Sequence, residues 1–200
     1  MSGPAYTRLD VDERRRRLLA LGAELFTSHA YDELSMAKIA KHAGISKALL
    51  YHYFPSKEAY FVATLEDKAA ELAQRTQPDP QLPPLEQLSH SLDAYLRWIE
   101  ENGSSYDKMI RSSYVPEVRA LLDRVRGDTA QRIVDGIRGD EPASPLLRTT
   151  VRGWLGFLDG ICMDWVANRD VDRPRLHGLA LATLVGALLA ADEGGTLTAT

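Results

Sequence analysis

Hydrophobic residues recur at helical spacing along nearly the whole chain. In "ERRRRLLALGAELFTSHA", Leu18, Gly22, Leu25 and Phe26 fall on one side, with Leu19 and Ala23 alongside and a polar back. That 3.6-residue period predicts an amphipathic first helix, with Asp12 as its cap and Glu13 in its first turn. "YDEL" breaks the pattern. Ser35 is expected to cap a short second helix that turns Met36, Ile39, Ala40 and Ala43 inward, and Lys38 three residues on excludes a reciprocal capping box. Gly44 stops that helix, as a residue at ease with positive φ should. Ile45 is expected to pack inward and Ser46 to cap a third helix reaching about Tyr53. Pro55 and Ser56 end it. A fourth helix restarts at Lys57, with Phe61, Leu65 and Leu72 near one stripe.

"QPDPQLPP", from Gln77 to Pro84, holds four prolines in eight residues and forbids a continuous helix. It reads as a linker. "LEQLSHSLDAYLRWIEE" resumes the helical period, "NGSS" predicts a break, and a short segment follows from Tyr106 to Arg111. Pro116 suits the first position of the longer helix in "PEVRALLDRVRGDTAQRIVDGI", and "RGDEPASP" breaks again. The last two helices are expected over roughly Leu146 to Ala167 and Pro174 to Ala190, before a frayed tail, "DEGGTLTAT". No stretch shows clean alternation of period two, and no internal repeat stands out. The fold class predicted is all-α, with about nine helices.

Composition adds little until it is divided. Hydrophobic residues make 44% and charged residues 26% of the 200, both ordinary for a globular protein. The formal net charge is -4. Residues 1–60 carry 9 basic and 7 acidic side chains, while residues 61–200 carry 15 and 21. A mildly basic head therefore precedes an acidic body, which is compatible with a local nucleic-acid surface. The single Cys162 rules out an intrachain disulfide and a thiolate metal cluster, which fits a reducing, cytoplasmic setting. The N-terminal sequence has no apolar signal-peptide run. The longest apolar stretch, Leu176 to Ala191, falls short of about 18 uninterrupted apolar residues and reads as a buried helix.

The densest group of chemistry-bearing residues is "SMAKIAKHAGISKALLYHYFPSKEAY". Two short helices across a glycine turn, with a first helix to pack on, form a helix-turn-helix unit. Its second helix must be short and rigid to enter the major groove. Leu50 and Phe54, four apart, can anchor it, while Lys47, Tyr51 and His52 face out and Tyr53 and Lys57 reach the far edge. The stretch from Arg14 to Phe61 resembles the DNA-binding domain of the TetR family of bacterial transcriptional regulators. The aromatic pair before Phe54, the following Ser56-Lys57-Glu58, and Gly44-Ile45-Ser46 carry the resemblance. It implies that Ser35 begins the helix crossing the DNA backbone and that Lys47 and Ala48 open the recognition helix. It further implies that Tyr51 and His52 touch bases or phosphates and that Tyr53 and Lys57 clamp phosphate. Met36 and Leu49 stand where family members often carry threonine. The head is assigned to residues 8–60 and a helical effector-binding and dimerisation domain to residues 61–192.

The body supplies large side chains on successive helices. Core packing and pocket lining are both open for them, because aromatic and Met residues serve either. The resemblance implies a small-molecule pocket, and the candidates are Tyr95, Trp98, Met109, Tyr114, Trp154, Phe157, Asp159 and Met163. Asp159 and Asp164 are the charged exceptions on this apolar helix, expected either to meet a cationic or hydroxyl group or to be exposed or paired with Arg152 or Arg169. Gly153, Gly156 and Gly160 make a smooth strip beside the apolar last helix. The family pairs these two helices with their twofold mates, so a homodimer is expected.

No Gly-rich phosphate loop, HExxH or Ser-x-x-Lys constellation is present, and the five histidines are scattered. His90 and Asp93 make an i,i+3 pair without a third ligand. The chain is read as no enzyme, with no catalytic residue, metal or cofactor. The expected partners are double-stranded DNA, a small-molecule effector and a second copy, with no membrane. The function expected is a ligand-responsive repressor released from a palindromic operator by a small apolar or cationic molecule. A structural helical dimer module, or a small-molecule binder without regulatory role, is the alternative.

Overall fold

The structure is a computed structural model and describes residues 8–139 and 142–191. These residues form eight α-helices and two short 3-10 turns, with no strand among them. They divide into two compact units at Glu71 and Leu72.

The first unit holds α1 (Arg8–Ser28), a 3-10 turn (Tyr31–Glu33), α2 (Met36–His42), α3 (Lys47–Tyr53) and most of α4 (Lys57–Arg75). Asp12 does not cap α1. The helix already runs at Arg8, four residues earlier, so Asp12 lies within it. Serine hydroxyls do cap the next three helices. Ser35, Ser46 and Ser56 accept from the backbone N–H of Lys38, Leu49 and Ala59 at 3.3, 3.1 and 3.0 Å. Gly44 ends α2 with φ at +64°, a conformation that any side chain bearing a Cβ resists. Ile45 is half-buried rather than a full member of the core.

Leu18, Leu19, Leu25, Phe26, Ile39, Leu50, Phe54, Tyr60, Phe61 and Leu65 are buried together in this unit. The first turns of α4 therefore belong to the head's core, which is why the compact unit extends past residue 60. Tyr60 is its centre. Its hydroxyl donates to the Leu18 carbonyl, and its ring lies 4.7 Å from Phe54 and 5.6 Å from Phe26. A Cβ built on Gly22 would lie 2.5 Å from Thr64 Oγ1 and 2.9 Å from the Tyr60 ring. Gly22 thus lets α1 and α4 approach each other closely.

The second unit comprises the end of α4, α5 (Pro84–Arg111), a 3-10 turn (Ser112–Tyr114), α6 (Pro116–Arg138), α7 (Pro145–Asn168) and α8 (Arg173–Ala191). Pro84, Pro116 and Pro145 each occupy a first helical turn. The break expected at "NGSS" is one non-helical residue, Asn102 (φ -121°, ψ 24°), which kinks α5 without ending it. Its amide side chain donates to the Trp98 carbonyl at 2.9 Å and fills the bonding gap the kink opens. One kinked helix in place of two gives eight helices among the described residues, not nine.

α7 packs against α5, α6 and α8 and buries Leu147, Val151, Trp154, Leu155, Leu158, Cys162 and Trp165. The Trp154 indole donates to the Ala180 carbonyl at 2.9 Å and ties α7 to α8. α8 is not a fully buried helix. Leu176, Ala180, Leu184, Leu188 and Ala191 face inward, while Leu179 and Leu189 are 51% and 44% exposed. It is long and apolar enough to cross a membrane, by length and composition alone. The expected tail lies outside the described residues.

Helix propensity alone favours alanine over glycine at position 22 by about 1 kcal/mol, yet Gly22→Ala is expected to destabilise the chain by about 1–3 kcal/mol through overpacking against Tyr60 and Thr64. Urea unfolding compares the two proteins, and a Gly22→Ala chain as stable as wild type refutes the close-approach role.

Candidate functional site

The outward face of α3 is built on two anchors. Leu50 is fully buried and Phe54 nearly so, so the helix is held from beneath. Lys47, Ala48, Tyr51 and His52 are consequently exposed. Lys47 Nζ lies 5.6 Å from the Tyr51 ring, one turn along, and the His52 and Tyr53 rings meet edge to face at 5.6 Å. The face thus offers one ammonium, one phenol and one imidazole, a donor-rich set suited to base edges and phosphate oxygens. Leu49 is half-buried and Met36 buried. Apolar residues stand at these two positions because each helps hold the unit together.

Ser35 is exposed at the start of α2, where its hydroxyl accepts from the backbone and keeps its own proton to donate. Lys57 has an internal task that its sequence position did not reveal. Its ammonium donates to the carbonyls of Tyr31 and Leu34 at 2.9 and 3.1 Å and lies 3.9 Å from the Tyr31 ring centroid. Lys38 adds a third bond, to the Glu33 carbonyl at 2.7 Å. Two lysines therefore fasten the 3-10 turn whose own backbone bonds are few. One Lys57 proton is left to point elsewhere. In the arginine run, Arg16 and Arg17 pair with Glu13, and Arg15 lies 5.7 Å from the Phe54 ring centroid.

The body's candidates separate. Tyr95 and Asp159 come together with Tyr106, Arg126 and Cys162, none of which was a candidate, while Tyr114 is 72% exposed on the 3-10 turn. The Tyr106 hydroxyl donates to Asp159 Oδ1 at 3.0 Å and stands 3.4 Å from the Tyr95 hydroxyl. Arg126 donates to Asp159 Oδ2 through Nε at 2.8 Å and Nη2 at 2.7 Å. The salt-bridge partner of Asp159 is thus Arg126, not Arg152 or Arg169. Burial, reinforced by the Asp159 carboxylate, holds both phenols well above their ordinary range, so they remain neutral donors. Burial, with Asp159 again second, pushes the Cys162 thiol up to about 12.

Trp98 and Met109 are buried, Trp154 is committed to α8, and Phe157 and Met163 are half-buried. The Trp98 indole N–H is buried with no hydrogen-bond partner among the described residues, an arrangement that costs about 1–3 kcal/mol. Tyr95 and Tyr106 are eleven residues apart, close to three helical turns, and that spacing was a usable sign that they share a face. Arg126 carried no comparable sign, since charged residues recur all along α6. Asp93, three residues from His90, is bound by Arg97 and Arg173. No cluster of three or more His, Cys, Asp or Glu suited to a metal occurs among the described residues.

Comparison with known proteins agrees with this architecture. Residues 18–64 match the family model for bacterial regulatory proteins of the tetR family, and residues 84–186 match the tetracyclin repressor-like C-terminal domain. The HTH-type transcriptional activator FasR of Mycolicibacterium smegmatis is 33% identical over 116 residues, 55% of this chain and 51% of FasR. The chain thus spans about half the length of that relative, and 58% of the HTH-type transcriptional repressor KstR of Rhodococcus jostii, at 27% identity. The HTH-type regulator UidR of Escherichia coli is 28% identical over 88% of this chain and 93% of its own. A tetR-family regulator from Streptomyces coelicolor superposes with a TM-score of 0.79 at 28% identity, covering 90% of this chain and 82% of that one. A helix-turn-helix head whose third helix turns its donors outward, with a helical body of the matching kind, makes this chain a member of the TetR family of bacterial regulatory proteins.

Proposed function

We propose that the chain is a ligand-responsive homodimeric repressor that acts in the cytoplasm on a palindromic operator. The observation that carries the DNA reading is the exposed face of Lys47, Ala48, Tyr51 and His52 on a helix anchored by Leu50 and Phe54. Two copies related by a twofold axis place two such helices in successive major-groove faces. The dimer reading rests on α7 and α8. Gly153, Gly156 and Gly160 are exposed, and a Cβ at any of them would meet nothing within 4 Å. Exposed Leu179 and Leu189 on α8 extend an open apolar surface of the sort that marks an interface.

The effector reading rests on the body interior. An apolar molecule carrying one hydrogen-bond acceptor suits it, because the Trp98 N–H has no partner among the described residues. Asp159 is already met by Arg126 and Tyr106, so a neutral effector suits this interior better than a cationic one. Binding that favours a conformation unable to hold both half-sites releases the DNA. FasR is named an activator and KstR a repressor. We assign repression because release needs only that a ligand disturb the spacing of two heads.

Binding to specific and scrambled duplexes across a salt series tests the DNA face. His52→Ala and Tyr51→Phe are expected to narrow the preference for the specific duplex. Lys47→Ala should weaken both duplexes and lower the salt slope by roughly one unit per lost phosphate contact. Lys57→Ala should also lower the melting temperature, because the Tyr31 and Leu34 carbonyls lose their donor, whereas Lys47→Ala should not. Equal losses on both duplexes for all variants would move Tyr51 and His52 to the backbone.

Sedimentation tests the dimer. Wild type is expected to sediment as a dimer at micromolar concentration and Gly156→Arg as a folded monomer. A wild-type monomer sinks that part of the reading.

Neutral apolar and cationic compounds, titrated while tryptophan fluorescence and DNA release are followed, test the effector site. Neutral compounds should act on wild type, and Trp98→Phe should lose about tenfold in response, the equivalent of one hydrogen bond. An unchanged response in Trp98→Phe places the effector elsewhere.

A further inference from the structure

Residues 89, 93 and 97 lie at four-residue intervals on α5 and share one face. It is not the face that carries Leu92, Leu96 and Ile99 into the core. Opposite stand Arg173, Pro174 and His177 from the first turns of α8, with Arg75 from the end of α4. Together they bound a solvent-open cleft of about 770 Å³, all within the second unit. That volume is in the range of small-molecule sites.

Three guanidiniums (Arg75, Arg97, Arg173) line the cleft with one carboxylate, Asp93, and the imidazoles of His90 and His177 add ring nitrogens. Asp93 is shared, with Oδ2 receiving Arg97 Nη2 at 2.7 Å and Oδ1 receiving Arg173 Nη1. Glu100 and Glu101 reach Arg173 and Arg75 from beyond the lining, at 3.2 and 2.6 Å. Those pairs fix where the guanidiniums sit. A guanidinium has five N–H donors in a planar fork, so Arg97 and Arg173 keep donors for a further acceptor. Arg173 is three-quarters buried and Arg97 is 58% exposed, one forming the floor and the other the rim. His177 Nε2 lies 3.0 Å from the Ser89 carbonyl and 3.2 Å from its hydroxyl, closing one end.

We propose that this cleft binds a small molecule bearing oxyanion groups, a phosphate ester or a polycarboxylate, at a site separate from the aromatic interior. Pairs of carboxylate or phosphate oxygens match the planar guanidinium fork in two-point bonds, and the arginines are already oriented by their carboxylate partners. The acidic charge of the body as a whole does not prevent this. At physiological ionic strength, exposed charges beyond about 8 Å are largely screened, and close to the cleft the three arginines balance Asp93, Glu100 and Glu101, so recognition rests on the guanidinium donors those pairs leave over. The site does not depend on the effector reading, because anion binding is measured without DNA and without any apolar ligand.

Isothermal titration of the full chain with inorganic pyrophosphate, and separately with citrate, tests the site against sodium chloride at matched ionic strength. At least one of the two probes should bind saturably, once per chain. Pyrophosphate alone identifies a phosphate site and citrate alone a polycarboxylate site. Arg97→Glu and Arg75→Glu should each weaken binding at least ~10-fold while keeping the wild-type melting curve. Lys47→Glu in the head should leave binding unchanged. No saturable heat with either probe, heat reproduced by sodium chloride, or full binding by Arg97→Glu overturns the proposal. Loss in Lys47→Glu alone also overturns it by moving the anion to the DNA-reading face.

Discussion

A seven-residue helix does not hold together on its own in water, because nucleating it costs more than so few hydrogen bonds return. Everything in the head follows from that constraint on α3. Ser46 satisfies an N-terminal donor, Gly44 sets the turn that delivers the helix, and Leu50 and Phe54 pin it to the core. Phe54 in turn leans on Tyr60, which is locked to α1 through the Leu18 carbonyl. Truncating a buried leucine costs about 2–5 kcal/mol in a packed core, so the outward face of α3 is only as rigid as these inward contacts.

The body solves a different problem. It holds a carboxylate among aromatic side chains, which is unfavourable unless the charge is paired and its oxygens satisfied. Asp159 achieves both, with Arg126 on one oxygen and Tyr106 on the other. Three helices, α5, α6 and α7, meet at that carboxylate. The same residues that could welcome a visiting group therefore also join the helices, and the interior's polar character is largely balanced within the chain. The Trp98 N–H stands apart as a donor without that balance.

Much of the head was legible from sequence because local rules and tertiary packing agree there. Ser35, Ser46, Gly44, Leu50 and Phe54 each sit where a single physical requirement singles out their residue type. Pro116 marked a helix start for the same reason, whereas Pro84, read as the end of the linker, opens α5. Asp12 misled because a helix can begin before a good capping residue and carry it inside. "NGSS" misled because one asparagine side chain bridges a kink that would otherwise end the helix. Lys57 read as an outward cation because its internal acceptors lie 26 and 23 residues away. No local pattern encodes bonds of that reach. The same holds for Asp159 with Arg126, 33 residues apart, and for the arginines that α5 and α8 bring to one cleft. The head's interface depends on short-range order, and the body's chemistry depends on long-range encounters.

The lone thiol has a further consequence. Cys162 is wholly buried on α7, its proton is held tightly, and this sequence contains no second cysteine to receive it. Peroxide and disulfide reagents act on accessible thiolate, which this site does not offer. Copies of this chain cannot be cross-linked through sulfur without first unfolding, and oxidative stress has no handle at this position.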